Sequence, residues 1–150
     1  MAMNAVPGRN TFMYDLVIPM LPPDDRQRAA RVTGERCRSV LVVIEDRMNQ
    51  LRSMTRSIPS GSVVLDLQRR GDRGSVTLRW RAMHGGLVSD AALPSIIDGY
   101  PSALREWYAA VHVQALWLNV AERSCRRLAG DFDGLALALS ECRDAGRLSV

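Results

Sequence analysis

Residues 61–81 read GSVVLDLQRRGDRGSVTLRWR, and this stretch decides the fold. Apolar and polar residues alternate on both sides of a glycine-punctuated centre, which is the period of a β-strand with one buried face. The alternation predicts a β-hairpin over residues 62–81, with its tip at residues 69–74. Its apolar face comprises Val63, Leu65, Leu67, Val76, Leu78 and Trp80.

Helical patterns flank the hairpin on both sides. The first seam, in steps of three and four, is Cys37, Leu41, Ile44, Met48, Leu51, Thr55 and Ile58, and only Thr55 is polar. The second seam is Leu104, Trp107, Val111, Gln114, Leu118, Ala121, Cys125 and Leu128, in which Gln114 is the polar member. These seams predict two long helices that pack on each other.

Proline, glycine and aspartate set the expected limits of these helices. Pro22-Pro23-Asp24-Asp25 begins the first helix and Pro59-Ser60-Gly61 ends it. A short helix is expected up to Ile97, and the second long helix from about residue 102 to 129, closed by Gly130. Asp131 or Asp133 then caps a separate terminal helix.

The predicted fold class is α+β and mainly α, with two long antiparallel helices, an inserted β-hairpin and shorter flanking helices. Residues 1–23 form an N-terminal arm in this interpretation, and residues 24–150 form a single helical domain. The chain of 150 residues is 47% hydrophobic and 24% charged, which excludes a disordered chain and suits one globular domain.

The same composition bears on compartment. No run approaches 18 consecutive apolar residues, so no membrane contact is expected, and residues 1–9 lack the apolar core of a secretory signal. The expected location is the cytoplasm. The cysteines, Cys37, Cys125 and Cys142, contain no CxxC pair and are interpreted as reduced thiols in the core.

Positive charge is concentrated in the middle of the chain. All 20 basic residues are arginine, and residues 26–81 hold 13 of them against 5 acidic residues, a net charge of +8. Codon bias in a GC-rich genome accounts for arginine in place of lysine. Selection for guanidinium groups, which bind phosphate in a bidentate way, is the other explanation. The local excess favours a surface for nucleic acid or another polyanion.

The predicted nucleic-acid contacts lie on the hairpin and on the first long helix. They are Arg69, Arg70, Arg73, Arg79 and Arg81 on the hairpin, and Arg47, Arg52 and Arg56 on the helix. A narrow ribbon carrying guanidinium groups fits a DNA groove or follows a single strand. The alternative is a solvated polar face, with Asp66 across from Arg79 neutralising part of the field. Trp80 falls on the apolar face, which leaves few aromatic side chains to stack on bases.

A second candidate surface lies on the second long helix. Trp107, Tyr108 and Trp117 lie on or beside its seam and form either core or a dimer interface. Thr55 and Gln114 either select a register or partner, as buried polar residues do in coiled coils, or lie where a seam position reaches solvent.

Catalytic patterns are missing from the sequence. His84 and His112 are the two histidines, and neither belongs to an HExxH motif, a nucleophile elbow or a Cys/His cluster. The chain contains no lysine, which excludes P-loop and Schiff-base chemistry. We therefore expect a non-enzyme with no catalytic residues, no metal ligands and no cofactor.

Three segments carry a resemblance to a known family. They are GSVTLRWR at residues 74–81, VQALWLNV at 113–120 and RRLA at 126–129. The region of roughly residues 37–130 resembles a family of uncharacterised proteins encoded on bacterial integrating conjugative elements, some of them labelled integrase regulators. The resemblance implies a context of mobile DNA in a bacterium.

The sequence thus supports two hypotheses about function. The first is a non-enzymatic accessory or regulatory protein of bacterial mobile DNA that contacts DNA or RNA through the arginine residues of the hairpin and helix. The alternative is a protein–protein interaction module, an adaptor or inhibitor, that acts through helix-packing surfaces, including as a homodimer.

Overall fold

The fold is mainly helical and contains one small sheet. A computed structural model describes residues 22–71 and 74–147. The elements are α1 (Pro23–Arg56), β1 (Val63–Arg70), β2 (Ser75–Ala82), β3 (Leu87–Val88), α2 (Leu93–Ile97) and α3 (Ser102–Arg147). The strands form an antiparallel sheet in the order β1-β2-β3. The mainly-α α+β class with an inserted hairpin is confirmed. Residues 1–21 of the predicted arm lie outside the described residues.

The chain divides into two compact units. One comprises Met1–Cys37 and Leu128–Val150, and its described part is helical, with an ion pair of 3.5 Å between Asp24 and Arg143. The other, Arg38–Arg127, contains the sheet, α2 and the hydrophobic core. No helix in the described ranges is long and apolar enough to cross a membrane.

Helix α1 follows its predicted seam. Asp24 and Asp25 occupy its first turn, where negative charge is favourable next to the unpaired amide groups. The seam residues Leu41, Ile44, Met48, Leu51 and Thr55 are all buried. The prediction of this helix and of its buried face is therefore confirmed.

The hairpin forms in the register that the alternation indicates. Leu65 lies opposite Trp80, and Leu67 lies opposite Leu78. The tip needs glycine, because Gly71 and Gly74 have φ angles of 58° and 64°, in the left-handed region that other residues rarely adopt. The apolar face of the hairpin thus belongs to the core, as predicted.

The segment after the hairpin contains a strand that the sequence does not reveal. Leu87 and Val88 pair with Arg81 and Trp80, and two residues are too few to show alternation. Ser89 Oγ then accepts a hydrogen bond of 3.2 Å from the N–H of Ala92, just before α2 begins.

The prediction of a separate terminal helix is wrong. Helix α3 runs without a break for 46 residues, and Gly130 and Gly134 lie inside it. A glycine inside a helix costs only about 1 kcal/mol relative to alanine. Neither glycine has a positive φ angle, so the expected end at Gly130 does not form.

Six of the eight predicted seam residues of α3 lie in the core or pack against it. The buried residues are Tyr108, Val111, Ala115, Glu122, Ala129 and Ala136, whereas Gln114 and Leu128 are exposed. Leu128 lies beyond the part of the helix that meets the core cluster. The buried side also includes a carboxylate, Glu122, which the predicted seam did not contain. Cys142 is also exposed, which corrects its expected place in the core.

Tyr108 is the centre of an aromatic cluster beneath the sheet. Its ring lies 5.7 Å from Trp80, 5.5 Å from Tyr100 and 5.1 Å from Trp107, measured between centroids. Its hydroxyl donates a hydrogen bond of 3.2 Å to the carbonyl of Val63, and burial raises the pKa of Tyr108 to about 12. Tyr108 therefore ties α3 to the start of β1.

Candidate nucleic-acid interface

The polar face of the hairpin is the face opposite the core. Side chains alternate along a strand, so the register assigns Asp66 and Arg70 of β1 to the same face as Arg79 and Arg81 of β2. Both Arg79 and Arg81 are exposed, as is Arg70. This face is where the hairpin can meet a flat or grooved partner.

Asp66 organises the guanidinium groups around it. Its carboxylate lies 3.1 Å from Arg52 Nε, 3.1 Å from Arg56 Nη2 and 3.6 Å from Arg81 Nε. Three positive charges around one negative charge leave a local excess of two. The three arginine side chains are 36–50% exposed. Water therefore screens these ion pairs, and each pair contributes little to stability.

Two further arginines keep their charges unpaired. Among residues 22–71 and 74–147, neither Arg70 nor Arg79 forms an ion pair. The register does set Asp66 opposite Arg79, as expected, but Asp66 pairs with other arginines instead. We call Arg52, Arg56, Arg70, Arg79 and Arg81, with Asp66 among them, the arginine face.

The remaining predicted contacts do not gather on this face. Arg69 is on the same side of β1 as the core residues Leu65 and Leu67. Its guanidinium lies 3.4 Å from the carboxylate of Glu45. Arg47 donates a hydrogen bond of 2.8 Å to Gln50 along α1. Arg73 lies outside the described residues. The structure therefore brings together five of the eight predicted arginines.

Thr55 fixes the end of α1 beside the hairpin. Its side chain is fully buried, and its hydroxyl donates to the carbonyl of Arg52 at 3.0 Å while accepting the N–H of Leu65 at 2.9 Å. Thr55 lies between Arg52 and Arg56 on α1, and Leu65 precedes Asp66 on β1. The hydrogen bond between Thr55 and Leu65 therefore keeps both arginines near Asp66. Thr55 is thus not a seam position that reaches solvent, and its hydrogen bonds fix the register of α1 against β1.

Two polar side chains of α3 complete the other edge of the sheet. Asn119 accepts the N–H of Leu78 at 2.8 Å and donates to the carbonyl of Leu78 at 3.0 Å. Glu122 accepts the N–H of Val76 at 3.0 Å. Strand β3 covers only the far end of β2, so these side chains replace the missing strand. Sequence reasoning missed both residues, although their spacing of three puts them on one helix side.

A chain of charges links this edge to the hairpin tip. Glu122 is 2% exposed, and Arg126 Nε lies 2.6 Å from its carboxylate. Arg126 also lies 3.5 Å from Glu45, which in turn pairs with Arg69. Arg69 therefore connects the hairpin to α1 through Glu45, and its side chain remains 65% exposed.

The predicted interface residues of α3 separate into two groups. Trp107 is half-buried and Tyr108 is fully buried, and both pack with the core. Gln114 is exposed and Trp117 is 70% exposed, on the outside of the helix. The four residues do not form one surface.

The histidines do not assemble a recognisable catalytic site. His84 is exposed, and His112 accepts a hydrogen bond of 3.0 Å from the indole N–H of Trp80 at its Nδ1 atom. His112 and Asp90 both line a groove of about 570 Å³ beside β2. Within the described ranges, no three His, Cys, Asp or Glu side chains are grouped so as to hold a metal ion.

Comparison with known proteins adds no relative. No protein-family model, curated protein or solved structure matches this chain.

Proposed function

We propose that the protein is a non-enzymatic accessory or regulatory protein of bacterial mobile DNA that contacts nucleic acid through the arginine face. The observation that carries the proposal is the three-to-one excess of guanidinium groups around Asp66, beside the unpaired Arg70 and Arg79. The resemblance of the LRWR and QALWLN segments to proteins of integrating conjugative elements supplies the genetic context. The proposed location is the cytoplasm, where bacterial DNA resides.

The chemistry of this face suits the phosphate backbone. Guanidinium groups bind phosphate oxygens through parallel N–H bonds, and the face carries five of them against one carboxylate. The one tryptophan of the hairpin, Trp80, is 2% exposed and faces the core, so it is not available to stack on bases. Binding should therefore depend strongly on salt and weakly on base sequence.

The alternative function, a protein-interaction module, has one specific observation in its favour. Trp117 stands on the outside of α3 among other exposed apolar side chains. Exposed apolar groups of this kind mark association surfaces. Protein association through Trp117 is compatible with nucleic-acid binding, because Trp117 is not a member of the arginine face.

The test is fluorescence anisotropy of labelled single-stranded and duplex DNA at about 50 mM and about 200 mM salt. We expect the double substitution Arg79→Gln/Arg81→Gln to weaken binding about tenfold or more at the lower salt. It should reduce the slope of log affinity against log salt by about 2, because two phosphate contacts are lost.

The matched control is Arg105→Gln/Arg143→Gln, which removes the same charge from two exposed positions of α3 that do not line the groove beside Arg79. This control should change affinity by less than about threefold, because long-range charge effects are screened over roughly 10 Å at these salt concentrations. Absence of binding by the wild-type chain at the lower salt would refute the proposal, and so would equal losses in the two double variants.

A further inference from the structure

An exposed apolar stripe runs along the outer side of α3. Val113 is 52% exposed, Leu116 42%, Trp117 70% and Val120 51%. Their spacing places them on one side of the helix, opposite the buried Tyr108, Val111 and Ala115. A shallow cavity of about 250 Å³ lies among these four residues, which we call the α3 stripe.

The stripe has the features of an association site. An exposed tryptophan flanked by aliphatic side chains is the type of anchor that dominates protein interfaces. Leu116 and Val120 also line the groove beside β2, so the apolar surface continues past the helix. A partner that covers the stripe therefore removes a large apolar area from water.

The spacing of the stripe residues along the chain is symmetric. Successive members are separated by three, one and three residues. Two antiparallel copies of α3, related by a two-fold axis between residues 116 and 117, therefore pair Val113 with Val120 and Leu116 with Trp117. A closed two-fold interface requires this self-complementarity, because each residue must meet its counterpart twice.

Residues beyond the stripe fit the same two-fold axis. It pairs Ala109 with Ser124, two small side chains that allow the helices to approach closely. It also pairs Glu106 with Arg127, which have opposite charges, and both are exposed. The span from Glu106 to Arg127 is ~32 Å at 1.5 Å per residue. Apolar contact at the centre and charge complementarity at both ends thus specify one occupant.

We propose that α3 forms an antiparallel homodimer, with a second copy of the chain packed on the α3 stripe. The proposal is independent of nucleic-acid binding, since no residue of the arginine face takes part. Glu106 of each protomer pairs with Arg127 of the other, so the dimer contains this pair twice. The two indole rings of Trp117 lie near the two-fold axis.

Sedimentation velocity over about 5–200 μM protein tests the dimer, a range that covers micromolar dissociation constants. The wild-type chain should sediment as a dimer at the upper end. Trp117→Gln should raise the dissociation constant at least about 30-fold, as loss of a central interface aromatic does. Leu137→Gln, at another exposed apolar position of α3, is the matched control and should leave it unchanged.

A charge exchange tests the orientation of the two helices. Glu106→Arg alone and Arg127→Glu alone should each weaken the dimer, because each places like charges opposite one another. The double variant Glu106→Arg/Arg127→Glu should restore it. A wild-type chain that remains monomeric at the highest concentration overturns the proposal and leaves the stripe to a different protein. Dimerisation that resists Trp117→Gln, or a double variant as weak as the singles, also overturns it.

Discussion

Replacing Glu122 with alanine should lower the free energy of unfolding by about 3 kcal/mol. The substitution removes the acceptor of the Val76 N–H, which lies at a buried strand position, and also removes the partner of Arg126. A buried amide without an acceptor and a partly buried guanidinium without its nearest partner each raise the free energy of the folded state. Glu45 remains 3.5 Å from Arg126, which keeps the expected loss at the lower end of the range for buried ion pairs.

Urea unfolding followed by circular dichroism measures this loss, and Glu122→Gln is the matched control. Glutamine keeps an oxygen for Val76 and gives up only the charge, so its expected loss is about 1–2 kcal/mol. Hydrogen exchange of the Val76 amide should quicken in the alanine variant more than in the glutamine variant. A loss below about 1 kcal/mol for Glu122→Ala contradicts this description of the sheet edge.

Replacing Asn119 with alanine should cost about 2–3 kcal/mol of the free energy of unfolding. The amide of Asn119 both donates to and accepts from the backbone of Leu78, so one substitution leaves two backbone groups without partners. Leu78 is 4% exposed, which limits the access of water to these groups.

The matched control for Asn119 is Gln114→Ala on the same helix. Gln114 is exposed and has no role in the sheet edge, so its replacement should change stability by less than about 0.5 kcal/mol. The same urea titration compares the two variants. Equal stabilities for Asn119→Ala and Gln114→Ala would show that α3 does not complete the edge of β2.

The hairpin and α1 were predictable because their patterns are unambiguous. Residues 76–80 alternate strictly, residues 63–67 depart from alternation only at Val64, and apolar residues recur in steps of three and four from Leu41 to Leu51. In α3 the seam from Leu104 to Cys125 also meets the core, except at Gln114, but Trp117 and Val120 form a second apolar side whose place periodicity does not explain. What selects the phase is the pairing of Asn119 and Glu122 with backbone groups more than 40 residues earlier in the chain.

The arginine face was predictable in part. The charge excess of residues 26–81 indicated the region, and strand parity assigned Arg79 and Arg81 to the polar side. The same parity places Arg69 on the side of Leu65 and Leu67, away from Arg79 and Arg81. That Arg52 and Arg56 reach Asp66 depends on how α1 meets β1, and periodicity carries no information about that contact.

The most direct test of the proposed function is DNA affinity in the variant Asp66→Asn, measured by anisotropy at about 50 mM and about 200 mM salt. If the arginine face binds phosphate, removing its one carboxylate releases three arginines. Affinity should then rise several-fold at the lower salt, with a steeper dependence on salt concentration. Asp98→Asn is the matched control, because it frees Arg105 with the same change in net charge. Tighter binding in Asp66→Asn but not in Asp98→Asn is the predicted result, whereas unchanged or weaker binding in Asp66→Asn would contradict the assignment of the arginine face.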